Sequence, residues 1–226
     1  MITQDSIFFG FVLSLLGYLI GLWLNKKSKL INPLLVSIIF VIGVLSVFKI
    51  DFQSYKKGAD YLSYFLTPCT VCLAVPLYRQ FSLLKKNIAA IFIGIATGVI
   101  TALLCVWGMS ALLGLSHELY ATLLPKSITT AIGMDVAAQL GGVPEIAVAV
   151  IVITGILGNI IGEPLLKLCK ITNPAAQGLA LGTSAHAIGT SKALEMGEIQ
   201  GAMSSLSITV AGLLTVVIAP LFSKLI

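Results

Sequence analysis

ELYATLLPKSITTAIGMDVAAQLG, residues 118–141, is the stretch whose reading decides the fold. It is long and apolar enough for one bilayer crossing, which takes about 20 residues, yet it holds Pro125, Lys126 and Asp135. A proline inside a helix removes an amide donor and collides with the preceding turn. Charged side chains facing lipid are costly. Irregular backbone at membrane depth survives only where protein buries it or a cavity hydrates it. An unbroken lipid-facing helix is therefore disfavoured. The stretch is read as a re-entrant element broken at about 125–130, with a full crossing, which would make the two repeats parallel, as the alternative. This choice sets the direction of every later segment.

The whole chain supports a membrane setting. Of its 226 residues 58% are hydrophobic and 10% are charged, against roughly 25% charged in soluble domains, and the mean hydropathy is +1.04. The net charge of +5 comes from lysines and arginines gathered at the ends of apolar runs. That grouping orients helices in a bilayer and argues against nucleic-acid binding. The first apolar run has no basic stretch before it and no cleavage site, so it reads as a retained helix. One membrane domain, 1–226, is expected.

Apolar runs predict spanning segments at about 6–24, 31–48, 61–78, 88–113, 144–166, 174–196 and 201–223, with 118–141 re-entrant. Asn32-Pro33 is a cap followed by a first-turn proline. The polar stretch 49–60 is expected at the interface. Gly17/Gly21, Gly94/Gly98, Gly158/Gly162 and Gly178/Gly182 have the spacing that lets helix backbones approach closely.

Lysine placement supports the re-entrant reading. With Lys26, Lys27 and Lys29 cytoplasmic, two further crossings return Arg79, Lys85 and Lys86 to the same side, and a hairpin at 118–141 keeps Lys167 and Lys170 there too. A shift of 113 residues lays YFLTPCTVCLAVPLYRQ over QGLALGTSAHAIGTSKA and IFIGIATGVITALL over SSLSITVAGLLTVV. The expected fold is an all-α polytopic membrane protein with two inverted repeats, 1–113 and 114–226, interrupted helices, and seven crossings plus one re-entrant element.

Two interrupted elements hold nearly all the intramembrane polarity. In the first, Pro125 can start a helix whose leading amides, with Lys126, Ser127, Thr129 and Thr130, suit a small anion. In the second, GTSAHAIGTSK at 182–192, the candidates are Thr183, Ser184, His186, Thr190, Ser191 and Lys192. Several roles stay open at this stage. Lys126 can meet substrate, snorkel, or pair with Asp135 or Glu163. His186 can contact substrate, titrate, or join helices. Lys192 can bind, or mark a membrane face. Asp135, Asn159 and Glu163 are coupling or structural polar residues, and no metal ligand set is read.

Catalysis has little support. His117-Glu118 lacks the HExxH spacing that places two imidazoles on one helix face. Cys69 and Cys72 have the spacing of a redox pair, but in an apolar stretch between prolines they read as small packing residues. No cofactor is expected, and coupling to protons or sodium is undetermined.

NPLL, TPCTVCLAVPLYRQ, LLPKSITTAIGMDVAAQLGG, VITGILGNIIGEP and QGLALGTSAHAIGTSKALEMGEIQGAMSSLS together resemble the CidB–LrgB family. The resemblance covers nearly the whole chain and departs at Ala131, where the family often has proline. It implies a bacterial inner-membrane protein and two functions. One is secondary transport of a small monocarboxylate such as glycolate, glycerate, lactate or pyruvate, as in the related plastid glycolate/glycerate translocator. The other is an antiholin-like role in murein hydrolase activity, membrane permeability and cell lysis. It also implies an LrgA-like small membrane partner; a homodimer and membrane lipids complete the expected partners of a chain that binds a small organic anion.

Overall fold

Two Asn-Pro pairs start helices in the same way. Asn32 Oδ1 accepts from the amides of Leu34 (2.9 Å) and Leu35 (3.3 Å). Asn173 Oδ1 accepts from Ala175 (2.9 Å) and Ala176 (3.2 Å). In each case the proline occupies a position where a helix lacks an amide partner. The computed structural model describes residues 6, 8–28, 31–65, 68, 71–72, 74–79, 82, 85 and 87–226. Its helices are α1 (Phe9–Lys27), α2 (Pro33–Val47), α3 (Phe52–Ser63), α4 (Ala74–Arg79), α5 (Ile88–Leu113), α6 (His117–Leu123), α7 (Thr130–Gln139), α8 (Pro144–Leu168), α9 (Pro174–Met196) and α10 (Glu198–Phe222). Contacts divide the chain into two compact units, Met1–Cys72 and Leu73–Ile226.

In the first unit α1 packs on α2 and α3. A Cβ at Gly21 would run into the Pro33 backbone, and one at Gly10 into the Tyr55 carbonyl, so these glycines set how closely the backbones approach. Ser14 Oγ lies 2.8 Å from the Tyr55 hydroxyl. The polar stretch expected at the interface is α3: Asp51 caps it by accepting from Gln53 (2.8 Å) and Ser54 (3.3 Å), and Lys56 pairs with Asp60 one turn on. The crossing expected at 61–78 falls partly outside the described residues, as does Cys69.

The second unit is built on α5, α8 and α10. One face of α5, namely Ile91, Ile95, Val99, Leu103 and Val106, is buried against a core shared with Tyr120, Leu124 and Ile128 and with Met203 and Ala211 of α10. Gly94 and Gly98 of α5 face Leu179 and Thr183, so α5 runs parallel to the first part of α9. Gly178 and Gly182 lie on Gln200 and Ser204, which makes α10 parallel to that part as well. Gly158 and Gly162 meet Ala185 and Leu181 in the opposite order, so α8 is antiparallel. The glycine pairs expected to give close packing thus wrap three helices around α9.

The α6–α7 segment doubles back, as its polarity predicts. The amide of Val143 donates to Thr122 Oγ1 at 2.8 Å, bringing the end of the segment beside its start. A Cβ at Gly133 would lie 3.3 Å from the carbonyl oxygen of Pro125, eight residues earlier. The base of this element meets the last turn of α10, where Tyr120 donates its hydroxyl hydrogen to Phe222 O at 2.7 Å and His117 Nδ1 lies 3.2 Å from Ile226 O. Pro125 does not start a helix. It lies in the turn, where Lys126 N–H donates to Leu123 O and Ile128 N–H to Pro125 O, and α7 begins at Thr130.

The reading of 174–196 as a crossing is corrected. Glu163 pairs with Lys192 while its neighbour Gly162 abuts Leu181. A straight helix separates residues 181 and 192 by about 16 Å, so the chain must reverse between them. The reversal is at Ala185 (φ −128°, ψ 17°) and His186 (φ 41°, ψ −139°). A Cβ at Gly189 would sit 2.7 Å from the carbonyl of Leu181, again eight residues back. Both ends of α9 lie at the α10 start, opposite the base of α6–α7. Among the described residues, four helices are long and apolar enough to cross a membrane: Phe9–Lys27, Ile88–Leu113, Pro144–Leu168 and Glu198–Leu225. The 15-residue α2 spans about 22 Å. Seven crossings are not found among these residues.

Candidate functional site

The α6–α7 turn and the first arm of α9 border, with α5, a cavity of about 490 Å³. Lys126 and Ser127 come from the α6–α7 turn, Thr183 and Ser184 from the first arm of α9, and Thr101 and Cys105 from α5. Gly94 and Gly98 leave its α5 wall low. The volume holds a small organic anion together with part of its water, each water taking about 30 Å³ in the liquid.

Lys126 is the charge of this cavity. Its ammonium donates to Ser127 Oγ at 2.9 Å. The ion pairs among the described residues are Lys56–Asp60, Lys167–Glu163, Lys192–Glu163 and Lys192–Glu195, and none includes Lys126. Pairing with Asp135 or Glu163 is therefore excluded as its resting arrangement. A lone ammonium at membrane depth costs about 3 kcal/mol or more on insertion scales. Thr183 also borders the cavity; the residue is 6% exposed, and its Oγ1 is itself buried and has no hydrogen-bond partner.

The other candidate residues stand elsewhere. Thr129 and Thr130 open α7 and do not line the cavity; Thr129 makes no side-chain cap bond. His186, 3% exposed, lies with Nε2 2.9 Å from Ile151 O of α8. The carbonyl can only accept, so Nε2 carries the proton, and this bond pins the reversal to the middle of α8. Thr190 Oγ1 donates to His186 O (3.0 Å) and lies 2.7 Å from Ser204 Oγ on α10. Ser191 donates to Ala187 O at 3.3 Å on an exposed face. These groups hold the broken helix in shape.

Lys192 bridges the second arm of α9 to α8. Its ammonium is 2.8 Å from Glu163 and 3.4 Å from Glu195, while Glu163 also takes Lys167 at 2.6 Å. Asn159, one turn before Glu163, donates to Ile188 O at 3.1 Å. Asp135 is exposed on α7. Among the described residues no cluster of histidine, cysteine and carboxylate side chains could hold a metal ion.

Sequence reading missed two residues of the cavity wall, Thr101 and Cys105, which lie one turn apart on a helix that reads as a plain span. The available signal was spacing: Gly94, Gly98, Thr101 and Cys105 recur every three or four residues and share one face.

An all-helical membrane protein with two reversed elements converging on one cationic cavity is the class that this geometry defines. A family model described as LrgB-like family matches residues 14–225, and the chain belongs to that family. It is 37% identical over 229 residues to proteins named Antiholin-like protein LrgB from Bacillus mycoides, Bacillus cereus and Bacillus anthracis, with all of each chain covered. No solved structure matches it.

Proposed function

We propose that this protein is an antiholin-like regulator of permeability and lysis in the bacterial cytoplasmic membrane, and that the activity beneath that role is selective passage of a small monocarboxylate. The names of the relatives support the first part. They say nothing of a carried substrate. The second part rests on one observation: Lys126 has no acidic partner and lines a cavity shared by two reversed elements. An incoming carboxylate supplies the missing anion, and no bond is made or broken.

An alternating-access form of this activity draws support from an inverted relation within the second unit. The 26-residue α5 followed by α6–α7 and the 25-residue α8 followed by α9 run in opposite directions. Ala131-Ile132-Gly133 and Ala187-Ile188-Gly189 stand in equivalent places, and each glycine abuts the carbonyl eight residues before it. In this proposal the repeat covers 88–139 and 144–196 rather than 1–113 and 114–226. An LrgA-like subunit, a second copy of the chain and surrounding lipid are the proposed partners. No residue is assigned to proton or sodium coupling.

Purified protein in liposomes separates the two parts of the proposal. The expected result is saturable exchange of a short carboxylate such as lactate with retention of entrapped dyes of increasing size. Leakage of all dyes without carboxylate selectivity supports a permeability role alone. No selective flux in folded protein, with or without an LrgA-like subunit, removes the carrier part.

A further inference from the structure

We propose that the Lys126 cavity selects monocarboxylates by an unbranched apolar chain, taking acids such as butyrate and hexanoate in preference to acetate or lactate. The inference rests on the carrier reading of that cavity and narrows its ligand class.

The charge sits at one end of the cavity. The first arm of α9 runs parallel to α5 and reaches its reversal just past Thr183, which faces Gly98. Cys105 lies about two turns beyond that level, and the Lys126 ammonium is within electrostatic range of its side chain. From Cys105 the cavity follows α5 back past Gly98 to Gly94, a helical rise of about 16 Å. Gly94 faces a methyl group of Leu179, so the groove between the two helices runs away from the ammonium.

Few polar atoms reach this groove. Thr183 presents its methyl group to Gly98 and keeps Oγ1 buried. Ser184 donates its hydroxyl hydrogen to Ala180 O at 2.7 Å. Thr101 stands one turn from Cys105, at the charged end. Ala176, Leu179 and Ala180 offer carbon only, and the amides and carbonyls of Gly94 and Gly98 belong to the interior of α5, where they bond within the helix.

A volume of about 490 Å³ lies in the range of roughly 300–1,000 Å³ for pockets that enclose drug-sized ligands. An acetate or lactate on Lys126 therefore leaves most of the groove to water. Water against a wall of carbon is poorly held, and an apolar group that displaces it gains affinity. A ligand hydroxyl on the same wall loses water and finds no partner. Ala176 and Ala180 are exposed, so the groove covers a chain on part of its surface. Each methylene is then worth about two- to fourfold in affinity, the upper value being that of full burial.

The test is calorimetric titration of acetate, butyrate, hexanoate and lactate into the full-length protein in detergent. Wild type is expected to bind butyrate more tightly than acetate or lactate, and hexanoate more tightly still, at about two- to fourfold per methylene. Gly94→Leu fills the far end of the groove without a clash, because a Cβ there meets nothing nearer than Leu179 Cδ1 at 3.8 Å. That variant is expected to end the rise at butyrate, with a thermal midpoint no lower than wild type. Gly108→Leu, outside the cavity, should keep the whole series, and Lys126→Gln should weaken every member of it.

Equal binding of the three unsubstituted acids, lactate tighter than butyrate, or an undiminished rise in folded Gly94→Leu protein would overturn the inference while leaving the Lys126 site standing. Affinities that Lys126→Gln does not lower would mean that the chains partition onto apolar surface, and would overturn it too. Failure of wild type to bind any of these acids would overturn the carrier reading and this inference with it.

Discussion

Lys126→Gln is expected to weaken short-carboxylate binding by roughly ten- to a hundredfold, the value of about 1.5–3 kcal/mol for a hydrogen bond to a charged group. Glutamine is one atom shorter than lysine and keeps a polar amide beside Ser127, but it carries no charge. The substitution also removes an ammonium that no carboxylate neutralises. The empty variant should therefore melt at the same temperature as wild type or higher, even as ligand binding falls. Binding isotherms and thermal midpoints on the same preparation check this directly. A large fall in the midpoint, with affinity unchanged in the surviving protein, would make Lys126 a structural residue.

The second large effect is expected at Gly182, where a Cβ would collide with the Ser204 carbonyl and lie 2.8 Å from its Cα. Backbone cannot give way as a side-chain tip does, so Gly182→Leu must push α10 off the first arm of α9. Overpacking commonly costs about 1–3 kcal/mol, and displacing one helix against another places this change at or above that range. Gly108 offers the control, because a Cβ there meets nothing within 4 Å. Size-exclusion profiles after heating should show Gly108→Leu melting like wild type and Gly182→Leu melting far lower or failing to give a monodisperse peak. Equal midpoints would mean that α9 does not pack as described.

The two reversals were unequally legible in the sequence, for a physical reason. The first announces itself through Pro125 and Lys126, residues that an uninterrupted lipid-facing helix disfavours. The second shows an interruption, GTSAHAIGTSK at 182–192, but not that the chain turns back there. Its reversal falls on Ala185 and His186, neither of which marks a turn, and His186 takes φ 41°, a region that L side chains rarely adopt. Tertiary contacts sustain it: the Ile151 carbonyl on the imidazole and Gly155 beneath the ring. Because apolar content measures length and not direction, 23 residues folded on themselves look like one crossing.

Polarity inside an apolar segment was equally ambiguous. Lys126 and Lys192 look alike in sequence, yet Lys192 has Glu163 and Glu195 within ion-pair distance while Lys126 has a serine. Thr183 and Thr190, seven residues apart, differ in the same way: one hydroxyl is unpartnered and the other is held by His186 and Ser204. What separates a binding residue from a structural one is the partner across the helix interface. That partner appears only once the chain has doubled back.

The decisive measurement is the sidedness of cysteine labels at Asn173 and Glu198, introduced singly into a variant with Ser at the native cysteines and probed with an impermeant reagent in oriented membrane vesicles. Labelling of both from one face, with labels at His117 and Gly141 reached only from the other, is the expected result. Labelling of Asn173 and Glu198 from opposite faces would make 174–196 a crossing after all and remove the shared cavity on which the proposed site depends.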